Sequence, residues 1–324
     1  MRKTLLGASA LISVALLASS SAQAAATYIP IAPPDGAVTV LPFSINDNNI
    51  IAGGYTDSAG VLHGFYGPPD GSKYKTFEVS GAQAEARFIF NDGSITGLAL
   101  ASGFTFGEEF YRSPDGTVKL LKNPKGDIQD GVAQGGNNNV VYVGDYLDTD
   151  GVRRIGFQGK AGKFKSKFNL PLKNLTSTNP RQINNNGVVA GGYIGSDGIQ
   201  HGFVLDGDNF TSFDHPKAVG GVTTAEGIND SGQVSGLYTD SGGNRHGFLY
   251  DVSTGKFKAI DPGDGSTAQE AWGINKKGLI VLDTDSGARP YIYCPLKPAK
   301  CPKGAPAAFH PTHGLTAKGP HNIP

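Results

Sequence analysis

The fold is decided by a stretch that occurs in two closely similar copies, INNNGVVAGGY at residues 183–193 and INDSGQVSGLY at residues 228–238. A third copy, INDNNIIAGGY, occupies residues 45–55. Each copy is followed by a His-Gly-Phe tripeptide, which starts at His63, His201 or His246. A segment that recurs at a fixed period indicates a fold built from repeated supersecondary units.

Weaker copies fill the intervals between the clear ones. Asn-Asp-Gly at residues 91–93, a run of asparagines at 137–139 and Ile-Asn-Lys-Lys-Gly at 274–278 each begin one. Spacings of 45, 46, 47, 45 and 46 residues separate the asparagines that anchor the copies, which are Asn46, Asn91, Asn137, Asn184, Asn229 and Asn275. So regular a spacing indicates six copies of one unit.

Each unit contains four candidate strands joined by Asx- and Gly-rich turns. In the fifth copy they are residues 222–229, 233–239, 245–251 and 256–261. Tight turns between short strands form antiparallel hairpins, and four such strands at this period are typical of a propeller blade. The sequence therefore predicts an all-β, six-bladed β-propeller of four-stranded blades.

Closure of the ring gives a separate test of this fold. The last copy has only three strands, at residues 267–275, 279–284 and 288–293, whereas a spare strand at 27–31 precedes the first copy. We expect this N-terminal strand to complete the last blade and thereby remove exposed sheet edges. An open β-solenoid is the alternative, and it gives the spare strand no role.

The repeat resembles the HAF-type extracellular repeat of bacterial proteins, a largely uncharacterised family. The pattern Ile-Asn-(Asp/Asn)-x-Gly-x-Val-x-Gly-x-Tyr followed by His-Gly-Phe carries the resemblance, strongly in the first, fourth and fifth copies. The resemblance implies export and a repeat fold. It implies no catalytic residue.

The N-terminus has the layout of a secretory signal peptide. A positive start, an apolar run of about 13 residues and a small-residue exit at Ala22-Gln-Ala24 predict cleavage after residue 24. A membrane anchor is the alternative, but the run is shorter than the roughly 20 residues that span a bilayer. We expect a signal peptide at 1–24, a propeller at 25–300 and a disordered tail at 301–324, in a protein that is periplasmic or secreted.

Two cysteines, Cys294 and Cys301, follow the last predicted strand. An oxidising compartment favours a disulfide between them. Two free thiols or a metal site are the alternatives, although a structural metal site needs more ligands than this segment offers.

Composition and charge limit the classes of partner and cofactor that we expect. The formal net charge is zero, so the basic surface typical of nucleic-acid binding is absent. We expect no membrane insertion, a monomer and no cofactor. Calcium is the one possible cofactor, at the loop acids Asp148 and Asp150, because calcium takes six to eight oxygen ligands.

The tail histidines His310, His313 and His321 form only a weak metal-binding pattern. The repeated His-Gly-Phe histidines are interpreted as scaffold that hydrogen-bonds neighbouring turns.

Positions that differ between copies are free to specialise. Two residues before the innermost-strand isoleucine, the copies carry a mixed aromatic and charged set, predicted to form a ligand-binding ring at the central channel: Phe43, Phe88, Gln134, Arg181, Glu226 and Trp272. Aromatic faces combined with polar groups suit a sugar or a peptide. The alternative is that these residues, which share parity with the core isoleucine, pack between blades.

The sequence favours an exported binding or surface-interaction module that recognises glycan or protein on one propeller face. A secreted carbohydrate-active enzyme, a glycoside hydrolase or lyase, is the alternative, and a purely structural envelope protein is a third reading. A glycosidase needs two carboxylates roughly 5–10 Å apart, for which Glu226 and Glu270 are the candidate pair. Glu108 and Glu109 are a less favoured pair, because they begin an outer strand.

Overall fold

The computed structural model describes residues 26–100, 107–122, 130–262, 267–284 and 289–305. These residues form 24 β-strands and one short 3₁₀ turn, Pro298–Lys300. The predicted all-β class is therefore confirmed. The predicted signal peptide and most of the predicted tail lie outside the described residues.

Four of the sheets contain four antiparallel strands each. In three of them the strands are consecutive in the chain, and in the fourth the N-terminal strand joins the last three strands. The first comprises β2 (Ala37–Ile45), β3 (Ile51–Asp57), β4 (Leu62–Gly67) and β5 (Lys75–Phe77). The second comprises β6 (Gln83–Ile89), β7 (Ile95–Leu100), β8 (Gly107–Arg112) and β9 (Val118–Leu120). Further along the chain, another comprises β18 (Thr223–Ile228), β19 (Gln233–Thr239), β20 (Arg245–Asp251) and β21 (Lys256–Ala259). The last comprises β22 (Ala268–Ile274), β23 (Ile280–Thr284), β24 (Tyr291–Cys294) and β1 (Thr27–Pro30).

An eight-stranded sheet lies between the second of these and the β18–β21 sheet. Its strands are β10 (Gly131–Gly136), β11 (Val141–Leu147), β12 (Arg154–Lys160), β13 (Lys163–Lys167), β14 (Ser177–Ile183), β15 (Val189–Ile194), β16 (Gln200–Asp206) and β17 (Asn209–Phe213). The prediction of six separate four-stranded sheets differs from this arrangement. The reason is one parallel bridge, between Arg154 and Ser177, which joins β10–β13 to β14–β17.

The sheets are arranged as in a propeller. Strands β2, β6, β10, β14, β18 and β22 each pack beside the next, and β22 packs against β2 to close the ring. The N-terminal strand pairs antiparallel with the last strand, with Tyr28 opposite Tyr293, which confirms its predicted place. Buried clusters fill the spaces between neighbouring sheets; in one, Ala52 of β3 packs with Ile89 of β6 and Phe110 of β8.

The repeated Gly-x-Tyr and His-Gly-Phe motifs depend on each other. A Cβ atom on Gly53 would lie 2.2 Å from the carbonyl oxygen of Leu41 and 2.9 Å from the ring of Phe65. At Gly236 the corresponding distances are 2.1 Å to Thr224 and 2.6 Å to the Phe248 ring. Only glycine permits this approach, so the Phe of the third strand lies across the Gly of the second.

A ring of asparagine side chains connects neighbouring sheets at the ends of the innermost strands. Asn229 is representative: its Oδ1 accepts hydrogen bonds from the amides of Ser231 and Gln233 in its own turn. Its Nδ2 donates to the main-chain oxygen of Asn275 in the next sheet, at 3.3 Å, and Asn275 donates in turn to Asn46 O at 3.0 Å. The anchoring asparagines therefore hold both the local turn and the ring.

The second repeat departs from this ring, and the predicted anchor Asn91 is wrong by one residue. Phe90 makes the turn bonds that Asn46 makes in the first repeat, with its amide donating to Ser94 O as that of Asn46 donates to Ile50 O. Phe90 is 2% exposed, so the structure selects the register that buries this ring.

The first and last described segments of the chain contact each other. Cys294 and Cys301 form the predicted disulfide. The amide of Ala305 donates to Pro30 O at 2.8 Å, so the first residues of the predicted tail contact the N-terminal strand. No helix in the described part of the chain is long and apolar enough to cross a membrane.

Candidate functional site

Each innermost strand has a β-bulge or register shift about three residues before its turn, and β2 and β22 each have a second one near their start; the shifts before the turns place a set of unlike side chains around the channel. A bulge breaks the alternation of a strand and redirects the extra residue. We call this set the channel ring: Phe43, Arg87, Gln134, Arg181, Glu226 and Trp272. It contains every predicted member except Phe88.

Phe88 was predicted for the ring, and Arg87 occupies that place instead. The shift has the same origin as that at Phe90, since the second repeat reaches its turn one residue earlier. Phe88 packs edge-on against Phe90, with ring centroids 5.0 Å apart. The channel therefore contains the guanidinium of Arg87 at the place where the aromatic ring of Phe88 was predicted.

One side of the channel ring is an aromatic cluster with a cation on it. Phe43 and Trp272 meet edge to face at 4.9 Å between centroids. The guanidinium of Arg87 lies 4.1 Å from the centroid of Phe43 and 5.9 Å from that of Trp272. Its Nη2 pairs with Glu85 Oε2 at 2.6 Å, so the cation that stacks on the aromatic rings is also ion-paired.

The other side of the ring is a network of buried carboxyls and arginines. Glu226 lies 3.4 Å from Nε of Arg181, and Glu270 lies 2.5 Å from Nη2 of Arg245. Burial raises the pKa of Glu226 and of Glu270, against the opposing effect of these arginines. Burial likewise raises the pKa of Asp283, which Arg245 also faces, to about 6. The predicted pair Glu226 and Glu270 therefore belongs to one electrostatic cluster.

Exposure separates the buried side chains of the channel ring from those that solvent can reach, on the ring and at the neighbouring Arg245. Phe43 is 3% exposed, Arg87 7%, and Gln134 and Glu226 6% each, so these four side chains fill the channel. The side chain of Arg181 is 21% exposed and that of Arg245 is 38% exposed, and Trp272 is only partly buried. A ligand entering the channel would therefore meet these three residues first.

The asparagine end of the channel is nearly closed. A cavity of about 40 Å³ lies there, lined by residues that include Asn46, Asn137, Asn184 and Asn229. This space suits only one or a few water molecules. Arg245 directly follows the loop between the second and third strands of its sheet. That loop lies at the opposite end from the asparagines, so Arg245 begins its strand at that end.

The His-Gly-Phe histidines serve the loops, as predicted. His246 hydrogen-bonds Asp240 at 2.9 Å and stacks on Tyr238 at 4.9 Å between centroids. His201 lies 3.0 Å from both Asp197 and Asp214. Although partial burial lowers the pKa of His201, the hydrogen bonds with these two carboxylates raise it overall.

The two acids considered as calcium ligands, Asp148 and Asp150, are paired with an arginine. Asp148 forms a close ion pair with Arg153, and Asp150 lies 3.7 Å from the same guanidinium. Within the described ranges, no group of three or more His, Cys, Asp or Glu side chains is placed to hold a metal ion. The tail histidines lie outside the described residues.

Sequence reasoning undervalued one buried acid, Glu109. It takes the place of the glycine of His-Gly-Phe in the second repeat, since it pairs with Leu98 as Gly64 pairs with Gly54. Glu109 is 1% exposed, and burial raises its pKa to about 8, with the nearby charge of Asp145 adding to the effect. A Cβ atom on Gly131 would lie 1.9 Å from Glu109 Oε1. The sequence signal is the coincidence of a lost glycine in one repeat and a gained glycine in the next.

No family model matches the chain, and no curated protein matches it. Among solved structures, TolB from Acinetobacter baumannii is similar, with a TM-score of 0.52 at 13% identity over 75% of this chain and 63% of that chain. AofleA from Arthrobotrys oligospora has a TM-score of 0.50 at 9% identity, over 83% of this chain and 89% of that chain. At these identities the likeness concerns the fold alone, and it supports the propeller arrangement.

Proposed function

We propose that this protein is an exported binding module that recognises a glycan or a protein segment at the channel end where Trp272, Arg181 and Arg245 are reachable. One observation carries the proposal: on a scaffold whose other motifs repeat, the bulge positions carry unlike side chains that converge in the channel. A scaffold alone needs no such variety, whereas a ligand site does.

The chemistry of the reachable residues favours a polar ligand with a flat apolar face. Trp272 offers an indole face for stacking, which supplies contact area, and the arginines offer N–H donors that fix orientation. A sugar ring has one apolar face and a rim of hydroxyl oxygens. Arg181 and Arg245 are already held by Glu226 and Glu270, so the donors are pre-organised.

Three finer statements belong to the same proposal. The eight-stranded sheet counts as two blades joined at one bridge, which gives six blades in all. The repeat is of the HAF type, and the chain is exported after cleavage near Ala24. The disulfide between Cys294 and Cys301 supports export, because disulfides persist in oxidising compartments.

A glycan-array screen of residues 25–324 tests the binding function. We expect saturable binding to one glycan class, lost in Trp272→Ala and retained in Val219→Ala, which alters a hydrophobic residue 72% exposed elsewhere on the surface. Peptide arrays are screened in parallel. Absence of binding on both arrays, or equal binding by both variants, would overturn the proposal.

The paired carboxyls support a second candidate, a secreted glycoside hydrolase or lyase. Glu226 and Glu270 are both buried, burial raises the pKa of each, and the charge of Glu226 raises that of Glu270 further, as suits a general acid. If the protein is an enzyme, polysaccharide turnover should fall at least about 100-fold in Glu226→Gln, while the control Glu108→Gln keeps full activity. Binding without turnover in the wild-type protein rejects this candidate.

A further inference from the structure

A second cavity lies between the two halves of the eight-stranded sheet, far larger than the one at the asparagine end. Its volume is about 280 Å³, close to the lower end of small-molecule sites. The start of β12 and the connection from β13 to β14 form its walls, and the residues that line it are Arg153, Arg154, Ile155, Gly156, Lys167, Phe168, Asn169, Leu170, Leu172, Leu175 and Thr178.

The repeat loses its own closing contact at this place. Phe168 donates its amide to Gly156 O, so Gly156 and Phe168 correspond to the paired Gly202 and Phe213 of the following repeat. There, the neighbouring residues His201 and Asp214 form an ion pair at 3.0 Å. The matching residues beside the cavity are Ile155 and Asn169, which cannot form that pair. The ion pair of the following repeat is thus missing beside the cavity.

The lining combines cations with apolar side chains. Arg154 is 6% exposed and is held by Asp145 and by Asp130, the latter at 3.5 Å. Arg153 is half exposed; its Nε and Nη2 contact Asp148, and Asp150 lies 3.7 Å from the same guanidinium. Ile155, Leu170, Leu172 and Leu175 supply the apolar surface, and Leu172 is exposed at 38%. An exposed leucine on a cavity that also contains arginines and a lysine indicates an amphipathic occupant.

We propose that this cavity binds a small amphipathic anion, a carboxylate with an aliphatic body. The head group contacts the Arg153 and Lys167 side and the body lies against the leucines and Ile155. The site is separate from the channel ring, and its occupancy does not depend on the function proposed there.

Octanoate is the probe, and isothermal titration calorimetry on residues 25–324 measures its binding. Octanamide is the uncharged control of equal length. We expect saturable binding of octanoate, about tenfold weaker binding of octanamide because a charge-assisted bond is lost, and about tenfold weaker octanoate binding in Lys167→Gln. The channel variant Trp272→Ala should bind octanoate like wild type.

The location is tested by restoring the repeat. The double variant Ile155→His with Asn169→Asp rebuilds the pair that closes the neighbouring unit, and it should abolish octanoate binding while unfolding at an unchanged urea concentration. Lys119→Gln, on β9, is the matched lysine control. No saturable binding to wild type, or full binding by the double variant, overturns the proposal. Equal affinity for octanoate and octanamide overturns the anion specificity.

Discussion

Glu109→Gln should remove a component of the pH dependence of stability. The pKa of Glu109 is raised to about 8 in the folded protein, whereas an exposed glutamate titrates near 4.3 in an unfolded chain. The folded state therefore binds more protons between these values, and stability falls as pH rises. Each pH unit in this window costs about 1.4 kcal/mol. From pH 5 to pH 7.5 the loss integrates to about 3 kcal/mol.

Urea unfolding measured by the fluorescence of the single tryptophan, at half-unit steps from pH 5 to pH 8, gives this slope. Other buried acids, such as Asp283, contribute equally to wild type and variant, so the difference between the two curves isolates Glu109. Glu108→Gln changes the adjacent exposed carboxyl and should leave the wild-type slope intact. Parallel curves for wild type and Glu109→Gln would refute the assignment of a buried, protonated carboxyl.

Three further outcomes are expected. Asn229→Ala should lower the unfolding free energy by about 3 kcal/mol, since it deletes hydrogen bonds to its own turn and to the next sheet; a loss below about 1 kcal/mol in urea unfolding contradicts the asparagine ring. The His201 ring should titrate above 6.5 in proton NMR, and the stability it contributes should be present at lower pH and lost as pH rises through that folded pKa. A midpoint at or below 6.5 would reject its ion pairs. Cys301→Ser should cost about 2.5 kcal/mol from the loop it opens, and an unfolding midpoint insensitive to this change would show that the disulfide contributes nothing.

The repeat was predictable because its determinants are local. Asx and Gly turns two to five residues long define hairpins without reference to distant residues, and the predicted strands 233–239 and 245–251 have the observed bounds. The place of the N-terminal strand followed from counting, since one repeat had three strands and one strand had no repeat.

The channel ring was only partly predictable, for two physical reasons. Alternation assigns Phe43 to the core face, whereas a bulge redirects it, and sequence patterns do not report bulges. In the second repeat, Asn91-Asp-Gly matches the turn motif better than Phe90 does, yet burial of Phe90 against Gly136 overrides the local turn preference. The eight-stranded sheet depends on a single bridge at Arg154, which no motif encodes.

The pairing of β1 with β24 has a consequence for biosynthesis. Tyr28 leaves the ribosome early, but its partner Tyr293 is translated only after every sheet except the last has been made. The contiguous sheets can form from local hairpins as the chain emerges, whereas the first strand must wait with its edge unpaired. Long-range closure of this kind is slow, so the chain passes through an open-ring stage in which the edge that β1 will cover is still unpaired.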